Sequence, residues 1–515
     1  MKDSYLAQFY GKSQNYTDIP NKWYKEYNVK KGLRNEDGTG VRVGLTRVAD
    51  VVGYDETPEG GIQAIPGKLY YRGYDVEDLV KGKGDSHFGY EEVCFLLLFG
   101  YLPKKAELEH FRNILTDCYE IPDEFVEMNL LRMPGRNLMN KLQDAVLTLY
   151  NYDDDPDNTD VYETLVKGIN LMAKLPSIAC YAYQSKVHYY NRDSLFIHYA
   201  NPKYSIAENF LSLLRKDQKF SDKEARLLDT ILMLHADHGG GNNSTFTNVV
   251  ISSTGTDIYS TVCGSIGSMK GPRHGGANIK VAEMMDAVLE ETGGYTADDK
   301  KIKTAVNKLM DGELYDRTGL VYGFGHAVYT ISDPRAEMLR ARCLEVAKEK
   351  KMMTEFDFRQ RFERIALETM KERKGVALPT NVDYYSGFAY EMLGIPRDLY
   401  TPLFVCSRMV GWVAHNIENK LYDMTESQEF FDYLRDLLDE FNEQHNYRWQ
   451  AGMNGRNGGY LVLYHGFCEP SQYRSHCTHC GQNNFSSVTE TGNICGKCKR
   501  PTRVDYTVVP VSTSV

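Results

Sequence analysis

A helical period sustained over most of the chain limits its fold more than any other feature. From about residue 74 to residue 446, apolar residues recur at intervals of three and four, and strand-like runs are few. The stretch "SDKEARLLDTILMLHADHGGG", 221 to 241, shows how one such piece is delimited. Ser221 and Glu224 form a capping-box pair, Leu227, Leu228, Ile231 and Leu234 line one face, and the glycines at 239 to 241 are expected to stop the helix. Comparable helices are expected from Gly276, Thr296, Asp333, Thr354, Tyr384 and Pro402. A chain of this kind has to pack helix on helix, so the fold class is mainly α. Its 515 residues exceed one compact core, so at least two structural parts are expected.

The helical pattern has different neighbours at its two ends. Residues 1–40 are polar and rich in Tyr, Asn and Lys, and are expected to form a loosely helical arm. Between 41 and 72, β-branched and aromatic runs flank the turn-rich "DETPEG", which suggests a short β-hairpin. Near residue 466 the composition turns Cys-rich and basic. Cys477 and Cys480 form one CxxC pair and Cys495 and Cys498 another, with fourteen residues between the pairs. Two such knuckles complete a tetrahedral four-thiolate site for a structural Zn²⁺, which leaves no open position for catalysis. The bland alternative is a set of redox or free thiols; a module too small for its own core favours zinc.

Other classes are excluded or disfavoured by composition. The longest apolar run, "CFLLLFG" from Cys94, is far shorter than the ~20 residues that span a bilayer. The polar N-terminus has neither a signal core nor the Arg-rich, acid-poor look of a transit peptide, so a cytoplasmic location is expected. Net charge is −10, which argues against nucleic acid as a partner and requires any anionic ligand to be met by a local basic site. The seven cysteines outside the C-terminal module are scattered, as in a reducing compartment.

Four polar stretches interrupt the helical body. In "LHADHGGGNNST", His235 and His238 sit three apart, as a metal pair or as cations at a helix C-terminus. In "MKGPRHGGAN", His274 stands among small residues, and taken alone it reads as a core histidine capping a carbonyl. In "VYGFGHAVYTISDPRAEMLR", His326 follows a Gly-Phe-Gly bend, and Asp333 with Pro334 opens a helix. Arg335 in that first turn faces an unfavourable dipole, so it calls either for a bound anion or for a salt bridge to Asp333 or Glu337. In "PTNVDYYSGFAYEMLGIP", Asp383 is a candidate N-cap.

Together these stretches resemble the motifs of the citrate synthase family. His274 in "GPRHGGAN", His326 in "GFGHAVY" with "DPR", and Asp383 in "NVDYYSG" occur in the family's order and at similar separations. "YRGYDVEDL", "FLLLFGYLP" and "SRMVGWVAH" are also similar to that family, over roughly residues 41 to 420. The resemblance implies a two-domain helical fold: a large domain from 41–274 and 386–466, a small domain from 275–385, and the zinc-ribbon-like module at 467–515 as an addition. It implies an acyltransferase that condenses acetyl-CoA with oxaloacetate to citrate, as in the tricarboxylic acid cycle, without a cofactor for catalysis. Asp383 would be the base, His274 the neutral donor to the thioester oxygen, and His326 the donor to the oxaloacetate ketone. His238, Arg335 and Arg408 would hold the substrate carboxylates, and Gly271, Gly275, Gly323 and Gly325 would let CoA approach. A homodimer is implied, with Arg448 as the arginine reaching the partner's site and Arg456 in reserve. The chain departs from the family at Gly239, where an acid is common, and past Asn419. Rival readings are 2-methylcitrate synthase using propionyl-CoA, cleavage of a citryl thioester, and a non-catalytic scaffold carried by the zinc ribbon.

Overall fold

The structure is a computed structural model. It describes residues 43–421 apart from 58–60, 83–87 and 376–377, short stretches before residue 43, and the backbone of three strands after residue 448. The chain divides into two compact units, Met1–Glu418 and Asn419–Val515.

The first unit opens with the expected hairpin. Strands β1 (Ala49–Glu56) and β2 (Ile62–Tyr71) pair antiparallel, and β3 (Tyr74–Asp75) extends the sheet. The register slips between Val52 and Tyr54, at Gly53. A Cβ on Gly53 would stand 2.4 Å from the Val328 carbonyl oxygen, and one on Gly67 2.3 Å from that of Ser332. Glycine is needed at both places because the segment after His326 crosses the hairpin at backbone distance. Of the arm, Lys22–Glu26 is a single helical turn, and most of the rest lies outside the described residues.

Helices supply the rest of the unit and its core. The capping box of Asp222–His235 forms as expected: Ser221 Oγ accepts from Glu224 N–H at 3.3 Å and Glu224 accepts from Ser221 N–H at 2.8 Å. The helix ends at His235, ahead of the glycines. The cause is tertiary: the Tyr71 hydroxyl, delivered by β2, accepts from Asp237 N–H at 3.2 Å and lies 3.0 Å from the Met233 carbonyl oxygen. Gly239, at φ +71°, then turns the chain. The later helices start close to the expected places: Ala277–Thr292, Asp299–Met310, Pro334–Lys350, Met353–Lys374, Val382–Met392 and residues 400–421. Asp333 caps its helix with Pro334 in the first turn. No helix among the described residues is long and apolar enough to cross a membrane.

In the second unit, Trp449–Asn454, Tyr460–His465 and Asp505–Pro510 form an antiparallel three-stranded sheet. Cys477, Cys480, Cys495 and Cys498, and the arginines Arg448 and Arg456, lie outside the described residues.

Candidate functional site

The site is assembled where three loops meet the 400–421 helix. The bend at Gly323 and Gly325, at φ +89° and +88°, is zipped to the segment before Asp383: Gly325 N–H donates to the Pro379 carbonyl at 2.7 Å and Asn381 N–H to the Gly323 carbonyl at 2.9 Å. This lattice brings the His326 loop against Asp383. Gly275 is required by packing, since a Cβ there would meet Met269 Cγ at 2.4 Å, whereas Gly271 has only ordinary contacts.

Backbone groups settle the tautomer of His326. Its Nδ1 accepts from Val328 N–H at 3.0 Å and Tyr329 N–H at 3.1 Å, so the proton of the neutral ring sits on Nε2. The ring stacks on Tyr329 at 4.5 Å and meets the edge of His238 at 5.0 Å. His238 is held neutral by burial and by the fields of Arg335, His326, Arg408 and His274, and its buried Nε2 has no hydrogen-bond partner. His238 thus lies against His326 and within the fields of Arg335, Arg408 and His274.

His274 turns inward, with Nε2 2.9 Å from Ser244 Oγ. Trp412 Nε1–H donates to the same hydroxyl at 3.2 Å, so the Ser244 proton is left to point at His274 or at Asn242 Oδ1, 3.0 Å away. When it points at His274, Nε2 is the acceptor and Nδ1 keeps the hydrogen. Burial, with help from Arg408, drops the His274 pKa to about 3, so the ring is a neutral donor across the physiological range.

Asp383 does not cap its helix. Asn381 does, accepting from Asp383 N–H at 3.1 Å, which leaves the Asp383 carboxylate for other work. Burial raises its pKa to about 7, with Arg335 pulling it down and Asp333 pushing it up. A carboxyl poised there can accept a proton from a weak acid.

The two arginines differ. Arg335 is clamped by Asp333 through Nε at 3.0 Å and Nη2 at 2.8 Å, so the salt bridge weighed from the sequence is present. Burial opposes its charge, and Asp333 more than offsets that. Arg408 is 1% exposed. Its Nε donates to the His235 carbonyl at 2.6 Å, but its buried Nη1 has no partner. A guanidinium in that state is costly unless an anion completes it. His235 is fully buried, with both ring nitrogens unpartnered and its pKa lowered by burial and the two arginines. No group of three His, Cys, Asp or Glu residues suited to a metal occurs among the described residues.

Sequence reading missed Ser244, Trp412, Tyr329 and Asn381 as parts of the site. Ser244, Tyr329 and Asn381 lie inside the polar stretches quoted above, but what marks all four is a partner distant in the chain.

The chain is similar to known proteins over most of its length. Residues 37–426 match the family described as citrate synthase, C-terminal domain. A citrate synthase of Haloferax volcanii is 36% identical over 358 residues, covering 68% of this chain and 86% of its own length. A 2-methylcitrate synthase of Shewanella oneidensis is 33% identical, over 68% of this chain and 85% of its own. Among solved structures, citrate synthase from Pyrobaculum aerophilum superposes with a TM-score of 0.60 at 29% identity, covering 75% of this chain and 90% of its own. Citrate synthase from Thermotoga maritima superposes with a TM-score of 0.59 at 28% identity, covering 76% and 91%. With a fold, a match across most of the chain and a cluster of neutral histidines, a poised carboxyl and buried guanidinium groups in agreement, the chain belongs to the citrate synthase family of acyl-transferring enzymes.

Proposed function

We propose that the protein condenses acetyl-CoA with oxaloacetate and water to give citrate and free CoA. One arrangement supports the reading: the Asn381–Gly323 and Gly325–Pro379 backbone bonds seat Asp383, raised by burial to about 7, next to the His326 loop, and His326 meets His238, which lies in the fields of neutral His274 and of Arg408, whose buried Nη1 lacks an acceptor. Asp383 takes a proton from the methyl carbon while His274 donates to the thioester oxygen, so the electron pair is held as an enol rather than a free carbanion. The enol carbon attacks the ketone carbon of oxaloacetate, and His326 Nε2–H donates to the ketone oxygen as charge develops there. Water then cleaves the citryl thioester, releasing citrate and the CoA thiol. Arg408, Arg335 and His238 hold the two carboxylates. Gly271, Gly275, Gly323 and Gly325 line the approach of the acyl-CoA.

The second reading, 2-methylcitrate synthase, is favoured by relatives of that name at 33% identity. A single methyl is worth only about 1–3 kcal/mol in a pocket. Incubating the protein with oxaloacetate and either acetyl- or propionyl-CoA, and following thiol release, separates the readings. Release with neither overturns both and leaves the scaffold reading; a higher kcat/KM for propionyl-CoA selects the second.

The remaining features follow from the same reading. Residues 275–385 form a small domain that closes on a large domain of 41–274 and 386–466, excluding water during enolisation. Two copies associate, with apolar Leu147 and Val250 exposed on the helices Leu138–Leu149 and Asn243–Ser252 to support a contact, and Arg448 reaches across. The enzyme works in the cytoplasm. The paired cysteines at 477, 480, 495 and 498 hold a structural Zn²⁺ by virtue of their spacing. Metal analysis should find about one zinc per chain, lost in the Cys477→Ser, Cys495→Ser double variant; no zinc in the wild type removes the ribbon.

A further inference from the structure

One face of the 400–421 helix grips the segment that carries His238. Arg408, Gly411, Trp412 and His415 lie along that face, and each meets residues 235–244. The approach is close: a Cβ on Gly411 would stand 2.3 Å from Asp237 Oδ2 and 2.5 Å from the Ala236 carbonyl oxygen. At the end of this face His415 Nε2 lies 3.2 Å from Asp237 Oδ1, with the two side chains 2% and 0% exposed.

That same Oδ1 accepts from Gly239 N–H at 2.7 Å, closing the turn in which His238 is the middle residue. On the far edge of the imidazole, Thr46 Oγ1 is 3.4 Å and Glu418 Oε2 3.9 Å from Nδ1. Glu418 accepts from Thr46 Oγ1 at 2.5 Å and Arg47 N–H at 2.7 Å, and faces Arg72 Nη1 at 3.8 Å. His415 is therefore wedged between two carboxylates that belong to opposite sides of one polar chain. His415 touches none of the groups assigned to substrate.

We propose that His415 is a positioning residue for the dicarboxylate subsite, acting through Asp237 to hold the His238 turn. The proposal rests on the reading of His238 as a ligand of oxaloacetate. Removing the imidazole leaves a buried carboxylate with one donor fewer, free to rotate or to take up a proton, and the turn around His238 loses its fixed end. Glutamine at 415 keeps a donor of similar reach; leucine has none, and asparagine is too short.

The test uses the full chain. His415→Leu is expected to raise the oxaloacetate KM about 10- to 100-fold, since small misplacements of a binding group cost that much. The acetyl-CoA KM should stay put, and His415→Gln should restore most of the loss. In the leucine variant the oxaloacetate KM should also acquire a pH dependence absent from the wild type, as Asp237 begins to titrate. If the leucine variant does not fold, His415→Asn against His415→Gln makes the same comparison. An unchanged oxaloacetate KM in a folded leucine or asparagine variant overturns the proposal, as does an equal loss in both KM values that glutamine does not repair. Absence of turnover in the wild type would instead fail the reading of the reaction, so the two failures are distinguishable.

Discussion

Asp383 shows what a single residue costs the fold. Burial raises its pKa from 3.8 to about 7, so as pH rises through that window the unfolded chain ionises first and folding stability falls. Above about pH 7 the loss is complete, and below 3.8 it is absent. Asp383→Asn should therefore abolish turnover yet be more stable than the wild type at pH 8, by up to ~4 kcal/mol, and match it in strong acid. Calorimetry at the two pH values checks this; a destabilised Asn variant at pH 8 refutes it. The sequence left Asp383 open between a cap and a base because both roles want a carboxylate at a helix start. Asn381 takes the cap, by a hydrogen bond that only the folded backbone reveals. Ser244 and Tyr329 were illegible for a related reason: their value comes from His274, Trp412 and His238, placed beside them by other segments.

Elements were more legible than contacts. Ser221 with Glu224, and Asp333 with Pro334, signal their helix starts through local chemistry, and both starts are where that chemistry puts them. The end of the Asp222–His235 helix was misjudged because Tyr71, far back in the chain, terminates it before the glycines can. The hairpin was visible as alternating runs, but nothing in it announced that its glycines face the segment after His326. Gly67→Ala tests that relation. Its Cβ would press on the Ser332 carbonyl at 2.3 Å and on Tyr329 Cδ1 at 2.5 Å, and Tyr329 is the ring on which His326 stacks. The variant should lose at least about 10-fold in kcat/KM. The hairpin itself should persist by circular dichroism, and wild-type kinetics would show that the strands and the loop can part harmlessly.

At the scale of the whole molecule, several protons are withheld together. His235, His238 and His274 are all kept neutral, so the unfolded chain gains protons below about pH 6.5 that the folded one refuses. Asp383 and Asp229, both raised by burial to about 7, work in the opposite direction over part of that range. Asp383→Asn removes one of these opposing carboxyls, so that variant should lose about 2 kcal/mol more than the wild type between pH 7.5 and 5.5, measurable by urea titration at the two values. Equal losses in the two proteins would mean that burial does not raise the Asp383 pKa. The polar chain from Thr46 to His415 also has a history in time. Its two ends are 369 residues apart. A ribosome adding about 5–20 residues per second emits the first roughly 20 to 70 seconds before the last. Through that interval the nascent hairpin has no partner for its polar edge, and no truncated product ending before residue 400 can close the site. Synthesis thus leaves the site incomplete until the 400–421 helix has emerged, and leaves the first strands dependent on whatever shields them meanwhile.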